Sequence, residues 1–249
     1  MTTSVAQLAC DFQCIGIHAG DTIMVHASLR AVGPVEGRAE GLVSTLLSVL
    51  GNQGTLMAYV DFEPTNDIPY FDPQQSPASS DHGVLAEIIR TWPGAIRSLN
   101  PGASMVAIGA KAEWLCHDHP MNYGYGLESP LAKLIEIDGK VLLLGSDFDH
   151  VTILHYAEHC AKLPHKRIIQ RTDQVLLENA VIDVIIEEFD TGDAVISTMP
   201  TDYFAQITQQ FVDSGYAQTG RIGQAASVLL PAQGFISFAV DKMERDFGS

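Results

Sequence analysis

"DTIMVHASLRAVGPVEGRAEGLVSTLLSVLGNQGTLMAYV", residues 21–60, decides the fold. An apolar run ends near Ala27. After it comes a stretch with apolar residues three and four apart that closes at Gly51-Asn52, and then a second apolar run over 55–60. The periods read as strand, helix and strand, with the glycine as the helix stop. Such a unit implies a parallel strand pair joined by a right-handed crossover. Upstream, Val5, Leu8, Phe12 and Ile15 recur at helical spacing, and Gly20-Asp21 turns the chain into the first strand.

Downstream, "DFEPTNDIPYFDPQQSPASS" (61–80) carries four prolines and reads as a long loop, starting where ligands gather in open α/β sheets. "HGVLAEIIRTW" reads as a helix, "SMVAIGA" as a strand and "KAEWLC" as a short helix. Ser129-Pro130 form a cap and first-turn pair for "SPLAKLIEI", and "KVLLLGS" is an apolar strand ending at Gly145. "VLLENAVIDVIIEEF" has two β-branched runs broken at Asn-Ala, as in an antiparallel hairpin, and the last 50 residues return to helical spacing around "TDYFAQITQQFVDSG". The expected fold class is therefore α/β: one compact domain over 1–249 built on a mixed sheet, mostly parallel, with an antiparallel hairpin addition.

Composition narrows the partners. Fourteen Lys and Arg against 30 Asp and Glu give a net charge of −16, which repels nucleic-acid phosphates. No apolar run approaches the roughly 20 residues needed to span a bilayer, so no membrane partner is expected. The N-terminus lacks the basic start and apolar stretch of a secretory signal, which points to the cytoplasm. Cys10, Cys14, Cys116 and Cys160 are too irregularly spaced for a disulfide framework and read as plain thiols.

Three stretches could carry chemistry. In "DHVTILHYAEHCAKLP" (149–164) a helix starting near Thr152 puts His155 and Glu158 on one face, three residues apart. A carboxylate on one ring nitrogen makes the other a better base; taken alone, the spacing more often marks a structural histidine that has found an acidic neighbour. His155-His159 has zinc-like spacing but no third ligand, and no metal is expected. "VHASLRAVGPVEG" offers small residues, Arg30 and exposed backbone N–H groups at a strand end, where phosphate could sit. His26 there is either a core histidine or a wall of a site. The third stretch is "NPGASMVAIGAKAEW" together with "YGYGLESPLAKLIEIDGKVLLLGSD".

Taken in order with "LGNQGTLMAYV", "FDPQQSP", "TILHYAEHCAKLP" and "GRIGQAASVLL", these segments resemble the aminoglycoside 3-N-acetyltransferase family, antibiotic N-acetyltransferases of non-GNAT fold, over residues 20 to 240. The resemblance implies an enzyme that moves acetyl from acetyl-CoA, its cosubstrate, to the 3-amino group of the deoxystreptamine ring of a polycationic aminoglycoside. The family's T-x-x-H-x-x-E falls on Thr152, His155 and Glu158, making His155 the general base and Glu158 its partner. Its H-S-S-L element falls on His26, Ala27, Ser28 and Leu29, continued by Arg30, Val32 and Gly33, where coenzyme A is held; Ala27 replaces the commoner serine. Ser104 is a further coenzyme A candidate. For the acceptor's ammonium groups the candidate partners are Asp61, Glu63, Asp67, Asp147, Asp149, Glu187, Glu188 and Asp190, with Asp61, Glu187 and Glu188 favoured by position. Rival readings are an acyl-CoA transferase for another amine and a non-catalytic coenzyme A-binding relative.

Overall fold

The computed structural model describes residues 2–189 and 194–248. Strand β1 (Thr22–Ala27) and β2 (Thr55–Tyr59) pair in parallel, connected by the short helix α2 (Leu29–Val32) and by α3 (Arg38–Leu50). Preceding them is α1 (Val5–Cys14), capped by Ser4, whose hydroxyl accepts from the Gln7 N–H at 3.2 Å. After β2 come the proline-rich loop, a single 3-10 turn (Ser80–His82), α4 (Gly83–Arg90), a two-residue strand β3 (Ile96–Arg97) and β4 (Met105–Gly109). Helices α5 (Ala112–Cys116) and α6 (Pro130–Glu136) lead to β5 (Lys140–Leu144), and α7 (Leu154–Cys160) follows it. The chain ends in the hairpin β6 (Ile168–Leu177) and β7 (Ala180–Phe189), α8 (Tyr203–Asp213), β8 (Gln218–Ile222), β9 (Ala225–Pro231) and α9 (Ala232–Phe247).

The main sheet runs β3-β4-β2-β1-β5-β9-β8. It is mixed, as expected, but only β2-β1-β5 are parallel; the four outer pairings are antiparallel, which corrects the expectation of a mostly parallel sheet. Two further differences concern the C-terminal part. The antiparallel edge beyond β5 is supplied by β8 and β9, from a stretch read as helical. The hairpin instead stands apart as its own two-stranded sheet. Its turn is Glu178-Asn179, one residue earlier than the Asn-Ala break, with φ of 48° and 70°, the left-handed pair that suits a two-residue hairpin loop.

Alternation along the central strands builds two cores. Ile23, Val25, Leu142 and Leu144 face a layer made of Leu8 and Phe12 of α1, Leu42 and Leu46 of α3 and Ile89 of α4. Met24, Val141 and Leu143 face the opposite layer with Leu154 and Ala157 of α7, Phe211 of α8 and Phe235 of α9. Burying such side chains is worth about 1.5–3 kcal/mol each before entropy is counted. The next residue on the Met24 face of β1 is His26, at the strand's C-terminal end.

One buried histidine makes stability depend on pH. His119 accepts at Nδ1 from the Ser98 hydroxyl (2.8 Å) and donates from Nε2 to the Gly124 carbonyl (2.9 Å). Burial lowers its pKa from 6.5 to about 4. The unfolded chain takes up this proton first, so stability is fully present above pH 6.5 and declines as pH falls to 4, by about 3 kcal/mol in full. A His119→Asn variant is expected to be less stable at pH 7.5 yet to lose less stability between pH 7.5 and 4.5, as read from urea unfolding midpoints.

Candidate active site

The strand order changes direction between β1 and β5, and the C-terminal ends of the parallel strands open there into a cavity of about 860 Å³. A crevice at such a point is where open α/β sheets bind ligands, and the volume suits a small molecule. Small residues at the strand ends make the room. Gly145, with φ of 66°, is one: a Cβ there would lie 2.6 Å from the Ala31 Cβ and 2.9 Å from that of Ala225, so only glycine lets the β5 loop pass.

His155 lies in the first turn of α7, as its sequence spacing predicts, and lines the cavity with Glu158. Its Nδ1–H donates to Glu158 Oε2 at 2.8 Å. The acid is almost entirely enclosed, 5% exposed against 20% for the imidazole, so the carboxylate is the fixed member and the ring the presented one. Two aromatic rings hold the imidazole, Tyr125 with its centroid 4.8 Å away and Phe204 at 5.1 Å. Tyr125 is placed in turn by its hydroxyl, 2.9 Å from that of Tyr59, which donates to the Gly102 carbonyl at 3.2 Å. Burial raises the pKa of both tyrosines, keeping the phenols neutral. With Nδ1 committed to Glu158, Nε2 keeps its lone pair and can accept a proton.

Of the other candidates, His26, Ala27, Ser28, Asp61 and Asp147 also line this cavity. The His26 Nε2 is shielded and has no hydrogen-bond partner among the described residues; burial first, then His82 and His150, lowers its pKa to about 4. The Asp147 carboxylate accepts from His150 Nδ1 at 2.6 Å and sits below its ordinary pKa through that bond, despite partial burial. Asp149 lines the cavity as well.

The remaining candidates are not brought there. Leu29, Arg30, Val32 and Gly33 lie off the cavity: Val32 is fully buried in the α3-side core, Gly33 packs on the Gln224 side chain and Arg30 is exposed. Ser104 is fully buried, its hydroxyl donating to the Val60 carbonyl at 2.8 Å and accepting from Arg97 Nε at 3.1 Å, which makes it a strand-to-loop tie. Glu188 is only 3% exposed and is held by Arg171 Nη1; burial raises its pKa against the pull of that guanidinium. Gly102 lets the two approach, since a Cβ there would sit 2.1 Å from Arg171 Nη2. Glu187 is exposed on the hairpin and accepts from Gln170 Nε2 at 2.7 Å. Glu63 and Asp67 are exposed on the long loop away from the cavity, and Asp190 lies outside the described residues.

Sequence reasoning missed several lining residues: Asp81, His82, His150, Tyr59, Tyr125 and Phe204. A signal existed for two of them. "SSDHG" ends the long polar loop where α4 begins, and a histidine beside an aspartate at the far end of a functional loop is a candidate in its own right.

A cavity at the parallel strand ends, with an imidazole held by a buried acid and lined by several carboxylates, suits general-base chemistry on a cationic molecule. The sequence profile of the aminoglycoside 3-N-acetyltransferase family matches residues 24–244, and the chain belongs to that family. Among its relatives, the aminoglycoside N(3)-acetyltransferase III of Pseudomonas aeruginosa is 40% identical, the alignment covering 98% of this chain and 94% of that one. The enzyme of the same description from Serratia marcescens is 36% identical over 99% of each chain. The solved structure of AAC-IIIb in binary complex with CoASH superposes with a TM-score of 0.96 at 43% identity, covering 100% of this chain and 99% of that one. AAC-VIa bound to sisomicin superposes at 0.93 with 32% identity, covering 100% of both. No helix among the described residues is long and apolar enough to cross a membrane.

Proposed function

We propose that this chain transfers the acetyl group of acetyl-CoA directly to the 3-amino group of the deoxystreptamine ring of an aminoglycoside, with His155 as general base. The observation that carries the reading is the His155–Glu158 pair inside a cavity that also presents Asp61, Asp81, Asp147 and Asp149. An alkyl amine with an ordinary pKa near 10.4 is protonated at pH 7, and freeing its lone pair costs roughly 4–5 kcal/mol. That proton would pass to solvent, and His155 Nε2 would accept a second one from the neutral amine as the nitrogen attacks the thioester carbon. Glu158 would stabilise the imidazolium that forms, and the proton would leave with the departing thiolate. His26, Ala27 and Ser28 would border the arm of coenzyme A that delivers the acetyl group. The relative solved with CoASH and the one solved with sisomicin support the two ligand classes. A cytoplasmic location belongs to the same proposal, because acetyl-CoA is made and used there.

The test is release of coenzyme A thiol in the presence of different aminoglycosides, with thiol release only for other amines as the result against it. The rim carboxylates add a second expectation. Exposed ion pairs net only about 0–1 kcal/mol each, so several must act together on a polycation. The KM for the aminoglycoside should therefore rise several-fold between about 0.05 and 0.5 M salt, while that for acetyl-CoA changes far less. A flat response for the drug removes the rim from the account.

A further inference from the structure

The cavity holds a second histidine–carboxylate pair, in which the division of labour is reversed. His82 Nε2 contacts Asp61 Oδ1 across 21 residues of chain, and both side chains line the cavity. The His82 ring stands edge-on to Tyr59, with centroids 4.7 Å apart, and Tyr59 is itself pinned through its hydroxyl to Tyr125 and Gly102. The backbone beneath Asp61 is tied as well. Its carbonyl accepts from the Ser79 N–H at 2.9 Å, closing the long loop on itself. The preceding carbonyl, of Val60, is taken by both Arg97 Nη2 and the Ser104 hydroxyl. Arg97 also donates from Nη1 to the Ser76 carbonyl at 2.5 Å and lies over the Phe71 ring, 4.7 Å from its centroid. One half-buried guanidinium thus ties the loop at Val60, Phe71 and Ser76.

A carboxylate that must receive an ammonium binds it more tightly when its orientation is set beforehand, because ordering a free side chain at the moment of binding subtracts from affinity. We infer that His82 is a positioning residue for the acceptor: its Nε2–H holds one oxygen of Asp61 and leaves the other to receive an ammonium group, with Arg97 fixing the backbone underneath. In the catalytic pair a buried acid steers an imidazole; here an imidazole steers the acid. The inference rests on the proposed reading that Asp61 faces the aminoglycoside.

A double-mutant cycle read by calorimetric titration of sisomicin tests it. His82→Ala is expected to weaken sisomicin binding about tenfold, the equivalent of one charge-assisted contact, and His82→Gln, which keeps an amide donor, to stay near the parent protein. Asp61→Asn is expected to weaken binding by at least as much, and the Asp61→Asn/His82→Ala double variant no further than Asp61→Asn alone. The KM for acetyl-CoA should not move in any of the four. An unchanged sisomicin Kd in His82→Ala, or effects that add in full, overturns the inference. An unchanged Kd in Asp61→Asn overturns it together with the placing of Asp61, whereas the transferase reading is decided separately by thiol release.

Discussion

Replacing His155 with alanine is expected to lower kcat by about three orders of magnitude at pH 7, within the roughly 10²- to 10⁴-fold range for removal of a general base. The KM for acetyl-CoA should stay near that of the parent enzyme. The ring is held by Tyr125 and Phe204, and its removal leaves the ends of β1 and β5, where the cosubstrate would lie, untouched. The remaining rate should climb as pH rises toward the pKa of the acceptor amine, because solution then does what the imidazole did. A parent-like kcat in this variant would sink the assignment of His155. Thermal unfolding of the variant guards against misreading a destabilised protein, since the lost side chain is partly exposed and its removal opens no closed void.

Glu158→Gln is expected to be nearly as severe, about 10²- to 10³-fold in kcat, although it changes a single atom type. The carboxylate can only accept, which forces the proton onto Nδ1 of His155 and the lone pair onto Nε2. A glutamine can offer its amide N–H to Nδ1 instead, and the ring then carries its proton on Nε2, where the base is needed. Replacing the aspartate of a serine-protease triad with asparagine acts through the same wrong tautomer. A distinguishing measurement is the nitrogen chemical shift pattern of His155, which should show the proton moving from Nδ1 to Nε2. Activity unchanged in Glu158→Gln would mean that orientation alone, not tautomer, is what the acid supplies.

Much of the scaffold was legible because periodicity is local. The stretch 21–60 switches from period two to the helical period and back, and the structure follows it to within a residue or two. Strand direction was not legible. β4 is a short run buried on both faces, "MVAIG", and nothing in such a run distinguishes a parallel neighbour from an antiparallel one. β8 and β9 were missed for a different reason: the first is an exposed, polar edge strand containing Gly220, with no apolar alternation to reveal it.

The site divides along the same line. His155 and Glu158 lie one turn apart, so their contact is a property of the helix and could be read beforehand. Asp61 was favoured by its place just past a strand end. Tyr125, Phe204 and His82 come from distant segments, and only the tertiary fold brings them to the imidazole and the acid. Ser104 and Glu188 show the converse limit. Each looks available in sequence, yet partners that sequence does not reveal hold them, Val60 and Arg97 the Ser104 hydroxyl and Arg171 one oxygen of Glu188, whose Oε2 has no hydrogen-bond partner among the described residues.

On the proposed reading, the proton-accepting ring is carried by the seven-residue helix α7, whereas the acids that would meet the drug ride on loops after β2 and β5. Chemistry and part of the drug preference would then be written on different stretches of the gene, since Asp61 and Asp81 lie far before α7 in the chain. On that reading, a lineage under changing antibiotic exposure could revise the loop after β2 and sample new aminoglycosides without touching the helix that carries His155.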